Sequence, residues 1–173
     1  LEHDPAKAIT AAALTTKNYF EDAVSVRSKE ALLALAHQQA GRPNQAQLAW
    51  KQAENTIRAR LTNDSNNTIL TSDLAKTLAW QGRTEEAKRL FAPIEAAMLE
   101  AGTSSQSAAQ FYAALGDAGQ AVAWLHKVLY RFPETTPSVL KVDPTWDKLR
   151  GQAEFDTFLA EAIAAEKAKK SIP

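Results

Sequence analysis

Side chains able to do chemistry are few and scattered in this sequence. The three histidines, His3, His37 and His126, stand far apart, and there is no cysteine. That leaves no zinc-type cluster, no thiolate nucleophile and no disulfide. His37 falls on a face expected to meet another helix, where packing is its role. Carboxylate pairs such as Glu85-Glu86 are adjacent, so on a helix they diverge by about 100° and read as solvated surface, not as an acid–base couple. No glycine-rich phosphate loop, His-Glu-x-x-His or Gly-x-Ser-x-Gly occurs. Asn63-Asp64-Ser65 and Asn66-Asn67-Thr68 match the glycosylation pattern but read as loop residues. The sequence nominates no catalytic residue, no metal ligand and no cofactor, and a non-enzymatic role is expected.

Composition narrows the partners. With 173 residues, 45% of them hydrophobic, the chain can bury one sizeable core. Alanine, leucine, glutamate, glutamine and lysine dominate, which favours helix, and no alternating β-branched run suggests a sheet. Formal net charge is zero, a poor match for nucleic acid or an anionic membrane. No apolar run is long enough to span a bilayer, and no signal-peptide pattern is read. A start at Leu1 rather than methionine is taken to mean a piece or processed form of a larger protein. The cytoplasm is the preferred compartment, the periplasmic side of a membrane-anchored protein the alternative.

The elements that must position any site follow a recurring beat. Gly41, Gly82 and Gly116 are each followed, five, nine and twelve residues on, by an alanine, a large apolar residue and a further apolar one. These are Ala46, Trp50 and Ala53; Ala87, Phe91 and Ile94; and Ala121, Leu125 and Val128. Offsets of five, nine and twelve share one face of a helix. Eight, seven and four residues before each glycine stand Leu33, Ala34 and His37; Leu74, Ala75 and Leu78; and Ala108, Ala109 and Tyr112. Small residues on both facing helices allow close antiparallel approach, and glycine ends the first helix at a positive φ. The result is a repeated helix–turn–helix unit that cannot bury its apolar face alone.

Gly82 and Gly116 lie 34 residues apart, and Gly41 and Gly82 lie 41 apart. With the offsets and Pro133 at the end of the third unit, this resembles the tetratricopeptide repeat over about residues 28 to 133. The usual large aromatic early in the first helix is replaced by Glu30, Thr71 and Ser105, and seven extra residues fall at 62–68. The resemblance implies an all-α, right-handed α-α superhelix of about three hairpins with terminal capping helices, forming one domain over 1–173. Its parts are an N-terminal helix at 4–20, repeats at 28–61, 69–100 and 104–133, and capping helices at 144–170. The first helix of repeat one is placed at 22–40, and Pro43 opens the second. Asp4 caps the N-terminal helix, and Pro93 removes a donor inside the second helix of repeat two.

In that family, sites two, three, six, nine and ten before each glycine line a concave groove. Here the resemblance implies Gln38 and Gln39, then Ser72, Asp73, Lys76 and Trp80, then Gln106, Ser107 and Gln110. Glutamine amides donate and accept, which suits an extended peptide backbone. The basic and asparagine residues by which some members clamp a C-terminal carboxylate are missing. At the C-terminus, Asp143-Pro144, Leu149-Arg150 and Phe155 to Leu159 resemble the closing segment of bacterial repeat regions in winged-helix regulators, adenylate cyclases and serine/threonine kinases. Gln152-Ala153 replaces that pattern's second Asp-Pro. The expected function is a non-catalytic module binding a protein or peptide. The alternative is a regulatory domain of a signalling protein acting through self-association.

Overall fold

A computed structural model describes residues 4–16, 18–21, 26–103, 105–131 and 135–170. The chain is all-α in class, with nine α-helices among the described residues. They are α1 (Pro5–Leu14), α2 (Lys29–Gln39), α3 (Pro43–Asn63), α4 (Thr68–Trp80), α5 (Thr84–Glu100), α6 (Gln106–Leu115), α7 (Ala118–Val128), α8 (Pro137–Val142) and α9 (Ala153–Lys170). Two three-residue strands, β1 (Tyr19–Glu21) and β2 (Val26–Ser28), pair antiparallel with Phe20 opposite Arg27. The chain divides into two compact units, Leu1–Ala97 and Met98–Pro173.

Local chemistry sets the helix ends. Asp4 accepts from the backbone N–H of Ala6 and Lys7 at 3.0 and 3.1 Å, and Pro5 supplies the first turn of α1. Ser28, Asn67 and Asp117 cap α2, α4 and α7 in the same manner. The three hairpin turns share one hydrogen-bond pattern. Arg42, Arg83 and Asp117 donate their N–H five residues back, to the carbonyls of His37, Leu78 and Tyr112, at 2.9 to 3.0 Å. The glycines before them have φ of 66°, 78° and 80°, the left-handed cap of a Schellman motif. Ala46, Ala87 and Ala121 then close the first turn of the next helix, donating to residues 42, 83 and 117 at 3.0 Å.

Those three alanines are buried, as are their counterparts Ala34, Ala75 and Ala109, at 0% exposed. Methyl-sized side chains on both partners let backbones approach closely and leave the larger residues to fill the remaining space. Trp50, Phe91 and Leu125 do so, each 4% exposed or less. Full burial of such a side chain contributes about 1.5–3 kcal/mol.

In the first unit α2 lies against α1 and α3, and α3 against α4. Tyr19 on β1 docks onto α3: its hydroxyl donates to the Thr56 carbonyl at 3.3 Å, and the Arg60 guanidinium sits 4.2 Å from its ring centre. In the second unit α6 pairs with α7, α9 covers α7 and α8, and a 3-10 turn at Pro144–Trp146 packs on α6. The Lys148 ammonium donates to the Ala114 carbonyl, and the Gln152 amide to that of Gly116 at 3.1 Å. Both satisfy carbonyls left unpaired at the end of α6. Burial pulls the Lys148 pKa below its ordinary value.

Four expectations need correction. The N-terminal helix stops at Leu14 rather than near residue 20, because Tyr19–Glu21 pairs as a strand. The first helix of repeat one starts at Lys29, after Val26–Ser28 has completed that ladder. The stretch 62–68 is not a long loop: α3 runs to Asn63 and Asn67 caps α4, so most of the extra length is helix. Between the third hairpin and Asp143 lies α8, which hydrophobic periodicity does not reveal at six residues. Residues 22–25, Ser104, Phe132 and Pro133, where helix ends are expected, lie outside the described residues, as does His3.

Candidate functional site

The first unit carries a pocket of about 480 Å³, within the usual range for ligand sites. Gln38 and Gly41 enter it from the end of α2, and Pro43, Ala46, Gln47 and Trp50 from the first two turns of α3. Trp80 and Gln81 enter from the end of α4. The location follows from the hairpin: the glycine turn ends α2, and Pro43 starts α3 beside it. Trp50, nine residues past Gly41, sits one helical stretch deeper, where α4 meets α3.

Two indoles form its floor. Trp50 and Trp80 are stacked, with ring centres 5.6 Å apart and planes within 5° of parallel. Trp50 is only 4% exposed and belongs to the α2–α3 core with Ala34, Leu35, Ala49 and Ala53. Trp80 packs on that core and stays half-buried. Trp80 is therefore held in one orientation by a rigid ring beneath it, so a ligand stacking on it orders little that is mobile. The Trp50 indole N–H finds no hydrogen-bond acceptor among the described residues. A buried unmet donor costs about 1–3 kcal/mol and calls for an explanation.

An ion cluster holds the pocket's far edge. Glu54 on α3 accepts from Arg58 Nε at 2.8 Å, from Gln81 Nε2 at 3.1 Å and from the Arg83 guanidinium at 2.8 and 2.9 Å. Glu86 accepts from Arg83 Nε and Arg58, each at 3.0 Å. Burial pushes the Glu54 carboxyl upward, but the hydrogen bonds from Arg58, Gln81 and Arg83 outweigh it and leave the group below its ordinary value. Glu86 is lowered mainly by Arg83. Gln81 is thus fixed through Glu54, and the α4–α5 turn is tied to α3.

Of the expected groove residues, the structure brings Gln38 and Trp80 together in this pocket. Gln39 is half-buried outside its lining. Ser72 and Asp73 are buried, 3% and 5% exposed, and Asp73 is ion-paired with Lys76 one turn along α4. Gln106 and Gln110 belong to the second unit and are likewise buried, at 7% and 4%, with Ser107 half-buried beside them. Polar side chains at these positions are enclosed within the chain rather than displayed. Sequence reasoning misses Gln47 and Gln81, and it treats Trp50 as core alone. Gln47, one turn before Trp50, carries a signal in its spacing; Gln81 carries none, because Glu54 holds it.

A second concavity of about 380 Å³ lies in the other unit, with His126, Lys127 and Arg131 at its rim. Two of these side chains pack against aromatic rings. Lys127 lies 4.1 Å over the Trp124 ring, and the His126 ring meets Phe158 edge-on at 4.9 Å. Lys127 stands in the last turn of α7, where positive charge offsets the helix dipole.

Among the described residues no group of three or more His, Cys, Asp or Glu side chains could hold a metal ion, and no helix is long and apolar enough to cross a membrane. No protein-family model, curated protein or solved structure matches the chain.

Proposed function

We propose that this chain is a non-catalytic interaction module of the tetratricopeptide kind, built as a right-handed α-α superhelix, and that it binds a peptide or partner protein. Three hairpin turns with one backbone pattern and six buried alanines at matching offsets support the architecture. The observation that carries the function is Trp80: a half-buried indole backed by a buried parallel indole and rimmed by glutamine amides. Such a platform gives apolar contact area from the ring and orientation from the amides. A random-peptide display on wild-type protein, counter-screened against Trp80→Ala, tests this. Selected peptides should bind wild type and an exposed-surface control, Lys88→Ala, equally, and Trp80→Ala at least tenfold more weakly. Tenfold corresponds to about 1.4 kcal/mol, in the range of one lost aromatic contact. If the display yields no peptides, or yields peptides that ignore the substitution, the proposal fails.

A further inference from the structure

We infer that the Glu54 cluster is an acid-opened clamp on the indole pair. While Glu54 and Glu86 are ionised it holds the end of α4 against α3, and when they take up protons it lets Trp80 leave Trp50. The placement is set by one helix turn. Trp50 and Glu54 stand four residues apart on α3 and therefore share a face. Opposite them, Trp80 stacks on Trp50, and the next residue, Gln81, donates its side-chain amide to Glu54 at 3.1 Å. Arg83, two residues further on, reaches the same carboxylate with its guanidinium. The ring stack and the carboxylate are adjacent fastenings of one seam between α3 and the α4–α5 turn.

Backbone bonds within the turn do not make that seam. Gln81 to Thr77, Gly82 to Ala79 and Arg83 to Leu78 close the turn onto α4, which fixes its shape rather than its position against α3. What joins the turn to α3 beyond apolar packing is charged: Arg58 and Glu54 on α3, Arg83 in the turn and Glu86 on α5. Two guanidiniums and two carboxylates cancel. The other charges on the neighbouring helices stay outside the cluster. Lys29 of α2 donates to the Thr15 carbonyl, Asp73 and Lys76 of α4 pair with each other, and Glu30 and His37 of α2 make no bond to it.

Protonation therefore does more than weaken bonds. A neutral carboxyl loses the charge that drew each guanidinium, and Arg58 on α3 and Arg83 in the turn are left as like charges across the seam. Attraction becomes repulsion. The change also reinforces itself. Burial pushes Glu54 toward its neutral form, while the bonds from Arg58, Gln81 and Arg83 keep it charged; as Arg83 withdraws, the push of burial gains. Both carboxyls lie below their ordinary value in the folded chain. The clamp is thus fully closed above the ordinary carboxylate range and opens as pH falls through the lowered values. Trp80, half-buried at the last position of α4, is the ring that moves; Trp50, 4% exposed in the α2–α3 core, stays. On the interaction-module reading this makes capture on Trp80 acid-sensitive, but the clamp itself does not depend on that reading.

The test is fluorine NMR of the full chain labelled with 5-fluorotryptophan, one signal for each of the four tryptophans. Trp80→Phe assigns the Trp80 signal, and helical circular dichroism is followed at every pH. Lowering the pH from 7 to 3 should move the wild-type Trp80 signal while those of Trp124 and Trp146 stay. Glu54→Gln should place the Trp80 signal at pH 7 most of the way to the wild-type acid position and lose most of the acid shift. Arg83→Gln, which leaves both carboxylates in place, should displace it in the same direction. A Trp80 signal unmoved by Glu54→Gln overturns the inference, and so does an acid shift that persists in that variant. A wild-type Trp80 signal flat across the pH range overturns it whatever the variants do. Trp124 and Trp146 signals that move with Trp80 at one midpoint also overturn it, because general loosening then explains the change. No ligand enters the measurement, so its failure and that of the peptide display are told apart.

Discussion

Two substitutions three residues apart at the third hairpin should move stability in opposite directions. Gly116 has φ of 80°, and a Cβ built there meets nothing closer than Lys148 Cδ at 4.0 Å. Gly116→Ala therefore meets no steric clash, and its whole effect is the cost of holding an L side chain in the left-handed region, about 1–2 kcal/mol. Gly119, by contrast, lies inside α7 with ordinary helical backbone, and a Cβ there meets only Asp117 Oδ1 at 3.8 Å. Gly119→Ala should stabilise by roughly 0.5 kcal/mol, since alanine loses less chain entropy in a helix than glycine does. A third variant separates conformation from bulk: Gly116→Asn is larger than alanine but tolerates the left-handed region, so it should recover about half of the loss. Urea unfolding followed by circular dichroism reads all three as midpoint shifts at constant slope. The reasoning is refuted if Gly116→Ala and Gly119→Ala shift the midpoint the same way, or if asparagine at 116 costs more than alanine.

The tryptophan pair should divide its roles. Trp50→Ala, deep in the α2–α3 core, should cost about 3–5 kcal/mol, whereas Trp80→Ala should cost well under half of that; thermal unfolding of the two variants decides. The carboxylates of Glu54 and Glu86 both sit below their ordinary values in the folded chain. Their contribution is thus full above the unfolded carboxylate pKa, near 4.5, and lost as pH falls below it through the lowered folded values. Urea midpoints measured from pH 7 down to pH 3 should drop more for wild type than for the double variant Glu54→Gln plus Glu86→Gln; parallel curves would contradict this. Removing the α1 cap with Asp4→Ala should cost α1 about 1 kcal/mol. Amide exchange would show it as faster exchange in Pro5–Leu14 with no change in Pro43–Asn63.

The hairpins were legible because their signals are local. A glycine at a left-handed cap, an alanine five residues later and a large apolar residue at nine are all set within one hairpin, and Gly82, Ala87 and Phe91 stand where that geometry requires. The strands at Tyr19–Glu21 and Val26–Ser28 were not legible. Three-residue strands carry too little alternation to register, and what anchors them is Tyr19 reaching Thr56 and Arg60 on α3. The expected groove suffered similarly. Positions counted back from each glycine give a helix face but not its depth, so Ser72, Asp73, Gln106 and Gln110 are enclosed while Gln38 and Trp80 meet at a pocket.

The amino-acid order by itself determined the all-α class, the three hairpin turns and the apolar face of each hairpin helix, because caps and periodicity act within a turn or two of chain. The tertiary structure alone decided which polar side chains keep access to solvent, and that Trp50 backs Trp80 in a parallel stack. It also decided that Glu54 holds Gln81 at the pocket's edge. Those outcomes depend on how α2, α3 and α4 meet, and the meeting of helices is fixed by side chains far apart in sequence filling one shared volume.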